Sequence, residues 1–224
     1  MRMRRKGHLF ERLLDCQEFL AIIEDYDFYK KDPKDRVNII NFNKLFNNDN
    51  PVELEIGSGK GGFIYEMALK NPNVNFLSVE KISNVILDLA EKLKEAPLKN
   101  LKILNCGAEN LLCYIKPNSI NKIYLNFSCP YPKKGYKNHR LTNERFLKIY
   151  EVILQNDAEI YQKTDNQLLF EYSIESLSQF GFKLKNISLD LHKSEFEGNI
   201  MTEYEKMFSE KGLPIYRLEA VLKK

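Results

Sequence analysis

The sequence predicts an α/β fold: a mainly parallel seven-stranded sheet with helices on both faces. Three observations carry this. After residue 50, short runs rich in β-branched and aromatic residues alternate with longer runs whose apolar residues recur at helical spacing, the pattern of βαβ units. The first strand runs straight into a glycine cluster and then a helix. Turn-forming residues (Asn71-Pro72, Pro117-Asn118 and Gly181) punctuate the segments.

Taken in order, residues 1–50 read as an N-terminal extension and residues 51–224 as the core of a single domain, since α/β domains of this length are ordinary. Within the extension, Asp15–Ile23 has helical spacing, Glu24–Arg36 is a charged surface loop, and Asn47-Asn48-Asp49-Asn50-Pro51 is a turn. The predicted strands are Val52–Ile56, Asn75–Glu80, Lys102–Cys106, Lys122–Phe127, Glu159–Lys163, Lys183–Leu191 and Ile215–Leu222. Helices are predicted over Gly62–Lys70, Ser83–Lys94, Glu109–Ile115, Asn143–Leu154 and Gln167–Phe180. The Gly198–Gly212 connection is short, which predicts an antiparallel pair of last strands at the sheet edge.

With 43% hydrophobic and 29% charged residues and a net charge of +3, disorder, collagen and a disulfide scaffold are excluded. The four cysteines stand far apart with no Cys-x-x-Cys, so neither a zinc site nor a disulfide framework is expected, and no metal is. Glu11 and Arg12 interrupt any signal-peptide core, and nothing approaches the ~20 apolar residues of a membrane span. A cytoplasmic protein without a membrane partner is expected, with no obligatory protein partner, as a monomer or homodimer.

The most informative segment is Val52-Glu53-Leu54-Glu55-Ile56-Gly57-Ser58-Gly59-Lys60-Gly61-Gly62. Gly57, Gly59 and Gly62 satisfy the dinucleotide fingerprint, and Glu80 closes the next strand where ribose hydroxyls would lie; alone, this points to NAD. Glu55 argues against it, because a carboxylate there repels a pyrophosphate. S-adenosylmethionine has no phosphate, and its methionine end carries an ammonium and a sulfonium that a carboxylate attracts. The plain structural alternative pairs Glu55 with Lys60 or another base and leaves the glycines as a tight turn.

Several separate blocks are more specific: Met1-Arg2-Met3-Arg4, Tyr124-Leu125-Asn126-Phe127-Ser128, Lys163-Thr164-Asp165-Asn166 and Gly198-Asn199-Ile200-Met201-Thr202-Glu203-Tyr204-Glu205. On these and the Glu55 loop the sequence resembles the bacterial tRNA (guanine-N7)-methyltransferase family. The resemblance implies a Rossmann-like S-adenosylmethionine-dependent methyltransferase acting on N7 of a guanine in the tRNA variable loop. It implies cofactor contacts from Glu55 and Glu80, with Gly57, Gly59 and the Gly107-Ala108-Glu109 loop beside them. It assigns RNA contacts to Lys133, Asp165, Thr202, Glu203, Tyr204 and Glu205. Two positions depart. Cys129-Pro130-Tyr131-Pro132-Lys133 stands where the family has Asp-Pro-Trp-Pro-Lys, putting Cys129 at the catalytic position, and Gly107 replaces the acid after the third strand, with Glu109 two residues on.

Guanine N7 has a lone pair and no proton, so no general base is needed, and alignment supplies most of the catalysis. A carboxylate would orient guanine through its N1–H and N2–H groups and stabilise the developing charge. Cys129, a weak acceptor, does neither well. A relative that binds S-adenosylmethionine or tRNA without efficient turnover is therefore the alternative, and an NAD-linked dehydrogenase a more distant one. Cys129 also reads as a small buried thiol. Lys133, Lys134, Lys137 and Arg140, with Tyr131 and Tyr136 interleaved, read as an RNA-contact loop or a solvated basic surface. His139 reads as a surface residue, and the basic run Arg2–Lys6 as a second RNA arm or a solubilising tail. Asp165 alone suits a helix N-cap, and Thr202 with Glu205 a capping box.

Overall fold

The computed structural model describes residues 6–22 and 37–224. Its strands are β1 (Val52–Ile56), β2 (Asn75–Val79), β3 (Leu101–Leu104), β4 (Ile120–Asn126), β5 (Leu154–Thr164), β6 (Lys183–Ser188) and β7 (Tyr216–Val221). They form one sheet in the order β3-β2-β1-β4-β5-β7-β6. β1 pairs in parallel with β2 and β4, β2 with β3, and β4 with β5, while β7 runs antiparallel to both β5 and β6. The strand order reverses between β1 and β4, and in open α/β sheets the crevice at such a switch, at the carboxyl ends of the strands, is where ligands bind.

Side-chain alternation along the strands feeds two separate cores. Val52, Leu54 and Ile56 of β1 and Ile123 and Leu125 of β4 enter one cluster with Phe146, Tyr150, Phe170 and Leu177, which belong to α5 (Glu144–Ile153) and α6 (Gln167–Phe180). Phe76, Ile103 and Tyr124 point to the opposite face. There they meet Ile64 and Ala68 of α3 (Gly62–Lys70) and Ile86, Leu89 and Leu93 of α4 (Ser83–Glu95). Period-2 burial on strands against period-3.6 burial on helices therefore covers the sheet on both sides, as the pattern predicts.

Four expectations are corrected. First, the helix predicted at Asp15–Ile23 lies earlier, as α1 (Leu9–Leu14), followed by a 3₁₀ turn at Gln17–Phe19. Leu20 instead bridges to Ile103 and the Ala21 N–H donates to the Ile103 carbonyl at 2.7 Å, covering the free edge of β3. Second, the segment predicted as a helix at Glu109–Ile115 is a 3₁₀ helix, Ala108–Cys113, closed by the Tyr114 and Ile115 amides on the Leu111 carbonyl at 3.0 and 2.9 Å. Third, the strand predicted to Leu191 ends at Ser188: Asn186 adopts φ 51, the register against β7 shifts, and the Leu191 N–H turns to the Ile215 carbonyl at 2.7 Å. Fourth, the last two strands are antiparallel but β6 alone is the edge. Their connection holds a further helix, and it carries β7 in between β5 and β6.

That connection's helix is α7 (Glu203–Ser209), and α2 (Phe42–Phe46) precedes the sheet, ending at the predicted turn where Asn47 adopts φ 56. The Glu24–Arg36 loop and Arg2, Arg4 and Arg5 lie outside the described residues. Lys6 is not a free cation, because it pairs with Asp88 on α4. No helix among the described residues is long and apolar enough to cross a membrane.

Candidate functional site

The carboxyl end of β1 turns sharply through Gly57 (φ 76) and Gly59 (φ 56) before Gly61 (φ 75) opens α3. A Cβ on Gly61 would lie 2.5 Å from the Leu89 side chain, so glycine is required both for the backbone and for the packing of α3 on α4. The Gly57 N–H donates to the Val79 carbonyl at 2.8 Å, tying the turn to β2. Glu80, at the end of β2, accepts from the Gly59 N–H at 3.2 Å and the Ile82 N–H at 3.0 Å. Its carboxylate is thus fixed at the rim of the turn.

Glu55 is buried, and its Oε1 accepts from the Asn126 side chain at 2.8 Å. Its Oε2 is buried with no hydrogen-bond partner among the described residues. Burial pushes its carboxyl up to about 7, against the pull of the Asn126 hydrogen bond and the Lys163 ammonium. Among the described residues no base forms an ion pair with Glu55 within 4.0 Å, neither Lys60 nor another, although the Lys163 ammonium acts on it from farther off. A half-satisfied buried carboxylate is rare unless a partner is to arrive, and an ammonium meets that need. Ionised Glu55 is the binding form, so affinity for a cationic ligand falls as pH drops through about 7, by about tenfold per unit below it. Titration calorimetry with S-adenosylmethionine between pH 5.5 and 8.5 reads this directly. In the complex the ligand's positive charge favours ionisation, so the midpoint there lies lower.

Beyond β3, Gly107, Ala108 and Glu109 continue the same wall. A Cβ on Gly107 would fall 2.6 Å from the Glu109 carboxyl carbon. Glu109 folds back over Gly107, and its carboxyl occupies the space a side chain at position 107 would take.

β4 ends in a turn whose residues Phe127 and Tyr131 both adopt left-handed backbone, φ 48 and 43, a conformation non-glycine residues hold only when their surroundings enforce it. At the Tyr131 end Arg140 supplies that enforcement. It is buried, donates to the Pro130 and Tyr131 carbonyls at 2.9 and 3.1 Å, and stacks 4.5 Å from the Tyr172 ring centroid. Its expected place in an RNA-facing loop is corrected, whereas Lys133, Lys134 and Lys137 are exposed. Cys129 is exposed rather than a buried thiol. Asn166, not Asp165, caps α6, accepting from the Leu169 N–H at 2.9 Å. The capping box is formed: the Thr202 hydroxyl accepts from the Glu205 N–H at 2.9 Å and the Glu205 carboxylate from the Thr202 N–H at 3.4 Å.

One cleft of about 1030 Å³ at the strand ends gathers Glu55, Gly57, Gly59, Glu80, Gly107, Ala108, Glu109, Cys129, Asp165, Thr202, Glu203 and Tyr204. Two predicted site residues are not in its wall. Lys133 stands outside it, and Glu205 is fully buried behind it, its carboxylate 2.6 Å from the Lys163 ammonium. Sequence reasoning missed Lys60, Lys81 and Arg145 on the lining, together with Phe127 and Phe208. The spacing of Tyr204 and Phe208, four apart on one helix face, was the available signal for the last.

A Rossmann-like sheet carrying these acids at the ends of adjoining strands defines a class, the S-adenosylmethionine-dependent methyltransferases. Residues 49–218 match the family model Methyltransf_4, described as "Putative methyltransferase". The chain is 45% identical over 220 residues to the tRNA (guanine-N(7)-)-methyltransferase of Bacillus cytotoxicus, covering 98% of this chain and 96% of that one. It belongs to the bacterial tRNA (guanine-N7)-methyltransferase family. Solved structures support the fold at low identity. The 16S rRNA methyltransferase KamB matches with TM-score 0.62 at 15% identity, over 82% of this chain and 93% of its own. A variant 16S rRNA (adenine(1408)-N(1))-methyltransferase from Catenulisporales acidiphilia, solved with cosubstrate SAM, gives 0.58 at 13%, over 92% and 96%.

Proposed function

We propose that this chain methylates N7 of a variable-loop guanine in tRNA, using S-adenosylmethionine, as one cytoplasmic domain with no obligatory protein partner. The observation that carries the reading is that a single cleft is lined by both the half-satisfied Glu55 carboxylate and the Asp165 carboxylate. Bound S-adenosylmethionine supplies a sulfonium-activated methyl group, whose transfer to N7 moves one positive charge from sulfur to the purine without a proton transfer. Glu55 holds the cofactor's ammonium. Glu80 accepts from ribose hydroxyls, and Glu109, seated over Gly107, serves the remaining end. Asp165, relieved of capping duty by Asn166, accepts from the guanine N1–H and N2–H groups. Thr202, Glu203 and Tyr204 line the acceptor end, and exposed Lys133 meets phosphate outside the cleft. Cys129 sits beside the base with a weak acceptor, so catalysis rests on alignment. Glu205 acts through Lys163 and never touches RNA.

The test is methyl transfer from labelled S-adenosylmethionine to unmodified tRNA, with N7-methylguanosine identified in the digest. The native chain makes product. Asp165→Asn lowers kcat about 10- to 100-fold, the range for a hydrogen bond to a charged group, and Cys129→Asp raises it about three- to tenfold. Product from Cys129→Asp alone would make the natural chain a weakened relative that binds without turning over.

A further inference from the structure

The cleft runs along the strand ends from β3 to β5, with Glu109 and Glu80 toward β3 and β2, Glu55 at β1 beside the end of β4, and the acceptor end beyond β4. At the acceptor end stand three rings. Phe127 lies 6.3 Å from Tyr204 and 6.0 Å from Phe208, those two are 6.3 Å apart, and every pair is within 26° of parallel. Three near-parallel rings with equal mutual spacing cannot form one column; they are laterally offset and make a broad aromatic surface. All three line the cleft. Phe127 is held there by its left-handed backbone and by its N–H donating to the Lys163 carbonyl at 2.8 Å. The adjoining Ser128 hydroxyl is buried with no partner among the described residues, an unspent polar group in the same wall.

N7-alkylation leaves a cation delocalised over the purine. A carboxylate at position 129 would face that charge, and Cys129 does not. Aromatic faces do, because their negative quadrupole attracts cations by roughly 0.5–2 kcal/mol, and a neutral base already gains from stacking. An outer ring of this surface already meets a cation, with the Lys211 ammonium 5.8 Å from the Phe208 centroid. We propose that Phe127, Tyr204 and Phe208 seat the acceptor guanine and favour it once charged, doing by cation–π attraction what the absent acid would do by charge. Attraction that strengthens as charge develops is the kind that raises kcat. This rests on the guanine-N7 reading above.

The experiment compares binding of guanosine 5′-monophosphate and its N7-methyl form to the full chain saturated with S-adenosylhomocysteine. The methylated nucleotide binds about 3- to 30-fold more tightly. Tyr204→Leu and Phe208→Leu each cut that preference toward unity and lower kcat on tRNA while leaving S-adenosylmethionine affinity unchanged, and Tyr204→Phe keeps both. Tyr204 is 58% exposed, so its replacement leaves folding intact. Equal binding of the two nucleotides, no binding of either at millimolar concentration, or a preference that survives both leucine variants overturns the proposal. A chain that methylates tRNA but shows any of these loses the aromatic seat alone. A chain that prefers the methylated nucleotide but makes no N7-methylguanosine loses the function reading alone.

Discussion

Glu55→Gln is expected to weaken S-adenosylmethionine binding at pH 7.5 by roughly a hundredfold or more while raising the melting temperature of the free protein. The two effects have one cause. Removing one partner of a buried charge pair costs about 2–5 kcal/mol of binding, and Glu55 offers the ligand a buried oxygen with no hydrogen-bond partner of good geometry among the described residues. In the free protein the same charge is a liability. Its carboxyl ionises at 4.5 in the unfolded chain and at about 7 when folded, so the folded state holds an extra proton between these values. Stability therefore falls as pH rises from 4.5 toward 7 and stays lowered above it. A glutamine keeps the hydrogen bond from Asn126 and removes the charge, so its stabilising effect disappears below pH 4.5. Calorimetric titration and thermal melts of the same preparations check both signs. Unchanged affinity would make Glu55 a structural acid and leave the glycine loop without a ligand.

How much of this could be read from the sequence follows from how local each feature is. β1 runs over the predicted residues Val52–Ile56 because a five-residue apolar alternation bounded by Pro51 and Gly57 is wholly local. The glycine loop is legible for the same reason, each left-handed turn needing a residue without a Cβ. Arg140 was misread because nothing near it in sequence distinguishes a solvated cation from one folded back onto carbonyls ten residues upstream. Asp165 and Asn166 are adjacent and both suit a cap, and only the strand exit of β5 decides which one takes it. The family resemblance assigns Glu205 to the RNA, while the same Thr-x-x-Glu spacing reads as a capping box. Its burial depends on Lys163, 42 residues away and brought up by the register of β5. The Phe127 contribution to the aromatic surface depends likewise on where α7 lands over the sheet.

That long-range pair carries the second large effect. Glu205→Ala should destabilise the protein by about 3–5 kcal/mol, the cost of leaving a buried charge without its counter-ion. The pair's side chains are 8% and 0% exposed, so solvent does little to screen it. Losing Glu205 leaves the Lys163 ammonium the Ile200 carbonyl at 2.8 Å, the Asn199 side-chain oxygen at 3.2 Å, the Phe63 ring and the more distant Glu55 carboxyl, and it takes from His192, Asn199 and the Thr202 N–H their shared acceptor. For a chain of this length such a loss lowers the melting temperature by roughly 6–20 °C. Lys163→Met with Glu205→Leu removes both charges and should recover most of the stability, because apolar replacement of a buried ion pair is often neutral. It should not recover function. Without the Lys163 ammonium, one of the influences holding the Glu55 carboxyl down is gone, so the pH midpoint for S-adenosylmethionine binding moves above 7. The loop bearing Glu203 and Tyr204 also loses its anchor, so kcat on tRNA falls. A double variant with the native melting temperature, native midpoint and native kcat would show the pair to be inert, and would detach the RNA-facing loop from the cofactor end of the cleft.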